Sequence, residues 1–179
     1  MGGESPLWGW QSGEKRTGFN GLVIAADTDS SLLGYIQLEK AKLGIGNIRT
    51  INIQDRNQLH QYQYDLVFLR DVFHHLQNPV AYFSELRSCL KTNGRIAIID
   101  WNERASIFMR ISGHYTPEQT ILDTMTASGF ICQANYHHLK GQSFNIFGFT
   151  HPNGNDAVFK ALRAKETKET PNKSPCRTD

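Results

Sequence analysis

Three short apolar runs, each closed by a charged residue, constrain this 179-residue chain more than any other feature. Leu22-Val23-Ile24-Ala25-Ala26 ends in Asp27, Asp65-Leu66-Val67-Phe68-Leu69 in Arg70, and Arg95-Ile96-Ala97-Ile98-Ile99 in Asp100. Continuous apolar runs of this length, without polar alternation, are the pattern of strands buried on both faces, as in a parallel sheet. The segments between them are spaced as helices. Ser30 or Ser31 offers an N-cap, and Leu32, Leu33, Ile36 and Leu43, with Ala41, recur at near-helical spacing until Gly44 and Gly46. Ile48 to Ile53 reads as a further strand and Asp55 to Gln63 as a polar loop. Pro79 opens a helix whose apolar face is Val80, Phe83, Leu86 and Leu90, and Asn93-Gly94 marks a turn before the third run.

Thr116-Pro117-Glu118-Gln119 predicts an N-cap with proline at the first helical position and a capping box. That helix should end at Gly129 with Ile121, Leu122 and Met125 inward. Phe130 to His137 and Phe144 to Thr150, joined through Leu139-Lys140-Gly141-Gln142, then predict an antiparallel hairpin. The alternation implies an α/β fold, a mostly parallel sheet with helices on both faces and right-handed crossovers, closed by that hairpin. Residues 1–20 read as an irregular leader, 21–152 as the α/β domain, and 153–179 as a short helix and a disordered basic tail.

Composition excludes several classes. Lys160 to Asp179 holds six basic and three acidic residues, while the net charge is only +2, so the rest of the chain is about neutral; a mildly basic tail is weak evidence for nucleic-acid binding, which is not expected. No apolar run approaches the ~20 residues of a membrane span, and Met1 to Trp10 has no signal-peptide pattern, so a cytoplasmic protein is expected. Cys89, Cys132 and Cys176 are odd in number and far apart, which predicts reduced thiols rather than a disulfide framework or a zinc knuckle. No Gly-x-Ser-x-Gly elbow, phosphate-binding Gly-x-x-x-x-Gly-Lys or supported Cys/His nucleophile pair occurs, so hydrolases and nucleotide triphosphatases drop out.

Ligands of open α/β sheets bind outside the carboxyl ends of the strands. Those ends offer Asp27 with Thr28, Asp55 with Arg56, Arg70 with Asp71, and Asp100 with Trp101. Asp27 is the foremost candidate, because a carboxylate there can accept both ribose hydroxyls of a nucleotide cofactor; the competing reading is that it starts a turn and caps the next helix. Asp71 and His75, at i and i+4 with His74 alongside, could share a metal only with further ligands, of which His60 is the nearest. His137 and His138 are adjacent in a strand and point to opposite faces. Structural histidines and no metal are therefore expected.

The order Val23-Ile24-Ala25-Ala26-Asp27-Thr28-Asp29, then Asp65 to Leu76, then Leu90 to Asp100, with Gly113-His114-Tyr115-Thr116-Pro117-Glu118 before the late helix, resembles the class I S-adenosylmethionine-dependent methyltransferases. The likeness is to their small, single-domain, ubiquinone/menaquinone-type branch. It covers residues 21 to 150 and implies a Rossmann-like fold, S-adenosylmethionine as cofactor and a small-molecule acceptor. Asp27 then matches the ribose-binding acid and Thr28 borders the adenine. Asp55 matches the position on the adenine amino group, with Arg56 as neighbour. Leu69, Arg70 and Asp71 fall beside the methionine part, and His75 is the candidate base. The family's opening strand and Gly-x-Gly-x-Gly turn have no counterpart in residues 1–20. An abbreviated leader, a degenerate non-catalytic interaction module, or a partner chain or second copy covering the gap would each account for that departure.

Overall fold

A computed structural model describes residues 21–54, 56–149 and 173–174. The chain divides into two compact units, Met1–Tyr62 and Gln63–Asp179. In the first, β1 (Val23–Asp27), α1 (Ser30–Lys42) and β2 (Ile48–Asn52) form a β-α-β unit, and the two strands pair in parallel from Val23↔Ile48 to Asp27↔Asn52. Leu33 of α1 buries against this layer together with Ile48 and Ile51.

The N-cap of α1 is Asp29, not Ser30 or Ser31: its carboxylate accepts the N–H groups of Ser31 at 2.8 Å and Leu32 at 3.3 Å. The Ser30 hydroxyl instead accepts the Asn52 amide at 3.1 Å. Gly44, at φ 67°, ends α1 in a Schellman turn, with Ile45 N–H on Lys40 O and Gly44 N–H on Ala41 O. The expected polar loop after β2 contains one helical turn, α2 (Arg56–Leu59).

The second unit begins with β3 (Tyr64–Arg70), a 3-10 turn (Phe73–His75) and α3 (Pro79–Arg87), whose N-cap Asn78 accepts Ala81 N–H. It continues through β4 (Leu90–Trp101), α4 (Ile107–Ile111), α5 (Glu118–Ala127), β5 (Ile131–Tyr136) and β6 (Gln142–Gly148), and Lys173–Ser174 add a two-residue β7. The sheet order is β3-β4-β6-β5-β7, with β3 and β4 parallel and the remaining pairs antiparallel. The hairpin forms as expected, and its second strand lies between β4 and its first.

Asn93-Gly94 is not a turn between elements. Both residues lie inside β4, where Tyr64 pairs with Leu90 but Leu66 already pairs with Arg95, so the surplus residues bulge out of the ladder. A Cβ on Gly94 would sit 2.9 Å from Tyr64 O, Lys91 O and Leu90 Cβ, which only glycine avoids. The capping box of α5 also fails to form. The N-cap is Pro117, Thr116 is buried with its N–H on Trp101 O, and the Glu103 carboxylate accepts Glu118 N–H at 3.2 Å. A Schellman turn at Gly129, φ 82°, closes this helix.

The core gathers Leu69, Phe73, Phe83, Ile98, Met125 and Phe147 with their neighbours, and Ile121 is inward as expected. Two residues of the second apolar run depart from the expected burial: Leu66 is 57% exposed and Phe68 53%, alternate positions on one face of β3, which is the outer strand of its sheet among the described residues. Cys89 is a free, buried thiol, but Cys132 on β5 is disulfide-bonded, which overturns the expectation that all the cysteines are reduced. The leader over residues 1–20 and most of the expected tail lie outside the described residues. No helix among the described residues is long and apolar enough to cross a membrane.

Candidate functional site

The first unit carries Asp27 as the last residue of β1. Its backbone carbonyl accepts Ile53 N–H, and its Oδ1 accepts Asp29 N–H at 2.9 Å, an Asx-type turn. The turn-forming role is therefore real, while capping of α1 falls to Asp29. Oδ1 keeps a second lone pair, and Oδ2 has no partner among the described residues, so the carboxylate retains capacity for two hydroxyl donors. Thr28 beside it is exposed. Asp55 lies outside the described residues, and Arg56 opens α2.

In the second unit the carboxyl ends of β3 and β4 converge on one polar cluster. Leu69 belongs to the core and Arg70 is exposed. Asp71 follows with φ 55°, a left-handed backbone that Asp adopts more readily than most residues, and its N–H donates to Ile99 O at 2.9 Å. The Gln142 amide, at the start of β6, donates to Asp71 Oδ1 at 2.9 Å, and the Arg70 guanidinium lies 3.6 Å from Oδ2. Partial burial pushes the Asp71 carboxyl above its ordinary 3.8; Arg70 opposes this shift and nearby Asp100 adds to it.

Asp100, at the end of β4, is fully buried and grips the 3-10 turn. Its Oδ1 is 2.8 Å from His74 Nδ1, and its Oδ2 accepts His74 N–H at 3.1 Å. Because a carboxylate oxygen only accepts, Nδ1 is the donor to Asp100, and Nε2 is the ring nitrogen left to face another partner. His75 is exposed, and its ring centroid stands 4.0 Å from that of His74. His114, on the connection between α4 and α5, completes the group at 5.4 Å from His74 and 5.6 Å from His75.

The structure thus brings Asp71, His75 and the strand-end Asp100 into one cluster. In the linear chain His74 stands out only as the neighbour of Asp71 and His75, and His114 only within the motif before the late helix. The signal for His114 is its place in the Gly113-to-Glu118 stretch that leads into α5, but nothing linear pairs it with residues forty positions earlier.

Residues 19–96 match a family model described as a methyltransferase domain. The crystal structure of a SAM dependent methyltransferase from Aquifex aeolicus superposes with a TM-score of 0.62 at 20% identity, over 74% of this chain and 71% of that one. The chain has the class I methyltransferase fold. The same fold relates it to the CMeT domain of citrinin polyketide synthase, with a TM-score of 0.60 at 16% identity over 77% of this chain and 41% of that one. LepI in its complex with SAM gives a TM-score of 0.56 at 16% identity, over 79% of this chain and 39% of that one. The chain therefore spans less than half the length of these last two methyltransferase-fold proteins. No curated protein matches it in sequence.

Proposed function

We propose that the protein transfers a methyl group from S-adenosylmethionine to a small-molecule acceptor, in line with the resemblance to the ubiquinone/menaquinone branch. The observation that carries this reading is that each unit, taken by itself, has carboxylates at the carboxyl ends of its parallel strands, Asp27 closing β1 in the first and Asp71 after β3 with Asp100 near the end of β4 in the second, in a chain of methyltransferase fold. When bound, the cofactor supplies an electrophilic sulfonium methyl group.

The chain supplies alignment and a proton acceptor. Asp27 accepts the ribose hydroxyls, with the capacity its Asx turn leaves. Thr28 borders the adenine, and Asp55 with Arg56 reads its edge. Leu69, Arg70 and Asp71 line the methionine portion, Arg70 offering a cation to its carboxylate. His75, exposed at the cluster, takes the proton that the acceptor's nucleophilic atom sheds. Ile107, Phe108 and Ile111 of α4 are exposed on the connection that carries His114, which favours an acceptor with an apolar body.

Calorimetric titration with S-adenosylmethionine and its demethylated product tests the reading. Saturable heat is expected, and Asp27→Ala should weaken binding by about 1 to 3 kcal/mol, the scale of lost charge-assisted hydrogen bonds. Absence of both heat and a thermal shift at millimolar ligand would refute cofactor binding, since a ligand of the native state must raise apparent stability. In that event the chain is the non-catalytic module.

A further inference from the structure

We infer that His74, His75 and His114 form a binding site for one divalent transition-metal ion, zinc above all. Each residue offers a ring nitrogen, and these nitrogens lie within 4.8 Å of one another. Imidazole nitrogens suit zinc and its neighbours in the first transition row, whereas magnesium and calcium take oxygen ligands.

Two features separate this group from histidines that merely meet. The first is the carboxylate behind it. Metal-bound histidines usually donate their second ring N–H to a carboxylate or carbonyl, which fixes the tautomer and raises the basicity of the ligating nitrogen. Asp100 does this to His74: fully buried, it holds Nδ1 at 2.8 Å and the His74 backbone N–H at 3.1 Å, so Nε2 is left as the available nitrogen. The second feature is the local backbone. Adjacent residues of a strand diverge, but a 3-10 turn rotates about 120° per residue. Phe73–His75 forms such a turn, and it sets the His74 and His75 rings 4.0 Å apart.

Zinc–nitrogen bonds of 2.0–2.1 Å at tetrahedral angles place the nitrogens about 3.4 Å apart, so nitrogens that already lie within 4.8 Å of one another need at most about 1.4 Å of closure. The exposed His75 and His114 can swing inward on χ1 and χ2, while Asp100 holds His74 still. Three protein ligands leave a fourth position open to water or to an oxygen or nitrogen of a small molecule. The ion would occupy the nitrogen of His75 that the base role needs, so metal binding and that role compete for one lone pair. The metal site itself stands whether or not the chain transfers methyl groups.

The test uses the full chain without a polyhistidine tag, stripped with chelator and titrated with zinc chloride, and in parallel with cobalt(II) followed by its visible absorption. One ion per chain, a raised melting temperature and a tetrahedral cobalt spectrum are expected. His75→Ala and His114→Ala, both at exposed positions, should each weaken binding at least about tenfold while the apo protein melts as before. Asp100→Asn should weaken it about 10- to 100-fold, the range for the loss of an outer-sphere partner. His138→Ala should change nothing. No binding at millimolar zinc, or equal affinity in the His75→Ala/His114→Ala double variant, overturns the inference and leaves the three rings as an aromatic contact. Cofactor titration of the same stripped protein separates this outcome from failure of the methyltransferase reading.

Discussion

Asp71 combines three demands in one side chain: a left-handed backbone at φ 55°, a hydrogen bond from Gln142, and a partly desolvated charge near Asp100. Its carboxyl is more easily protonated in the folded chain than in the unfolded one. That stabilising difference is fully present below 3.8, the ordinary value, and is lost as pH rises through the higher folded value. Asp71→Asn keeps the tolerance for a left-handed backbone and an oxygen for Gln142, but has no charge to desolvate. The melting temperature of the variant minus that of the parent should therefore be smallest near about pH 3 and grow toward about pH 7. A constant difference across that range would place the Asp71 charge in solvent. The sequence marked Asp71 because an apolar run stops beside it. It could not show that Gln142, seventy-one positions later, would hold the same carboxylate, since that contact exists only once β6 has inserted beside β4.

At the level of elements, the periodic apolar patterns were legible and the signals at their ends were less so. Every apolar run assigned to a strand over residues 21–149 forms one, and helices follow Ser30, Pro79 and Thr116, but α3 stops at Arg87, so Leu90, expected on its apolar face, opens β4 and pairs with Tyr64 instead. The misreadings concern polar side chains with several available partners. Thr116 has the right spacing for a capping box, but Trp101 O claims its backbone and Glu103 reaches the helix end from another loop. Asn93-Gly94 has turn chemistry, but pairing with β3 draws it into a bulged strand. Here glycine serves close approach, and Gly94→Ala should cost about 1 to 3 kcal/mol, the usual penalty of overpacking. Gly46→Ala, with nothing within 4 Å of the added methyl, should be neutral or slightly stabilising. Urea denaturation of the two variants measures the contrast, and equal midpoints would refute the bulge geometry.

Across the whole molecule, apolar burial is divided unequally. The large cluster around Phe83, Ile98, Met125 and Phe147 belongs to residues 63–179, whereas the first unit buries Leu33, Ile48 and Ile51 beneath a two-stranded sheet. Two strands with so small an apolar layer, in about forty residues, are marginal alone. A fragment of residues 63–179 should melt cooperatively by circular dichroism, and one of residues 21–62 should not; a cooperative transition in the shorter piece would contradict this division. The division itself was hidden in the sequence, because the alternation of strand and helix runs unbroken across residue 62. The outer rim of β3 has a practical consequence. Leu66 and Phe68 face water on a strand whose far side has no ladder partner among the described residues. Concentrated solutions should therefore drift into oligomers well below the melting point, and Leu66→Lys should keep the sedimentation profile monodisperse by making that rim repel its own copies.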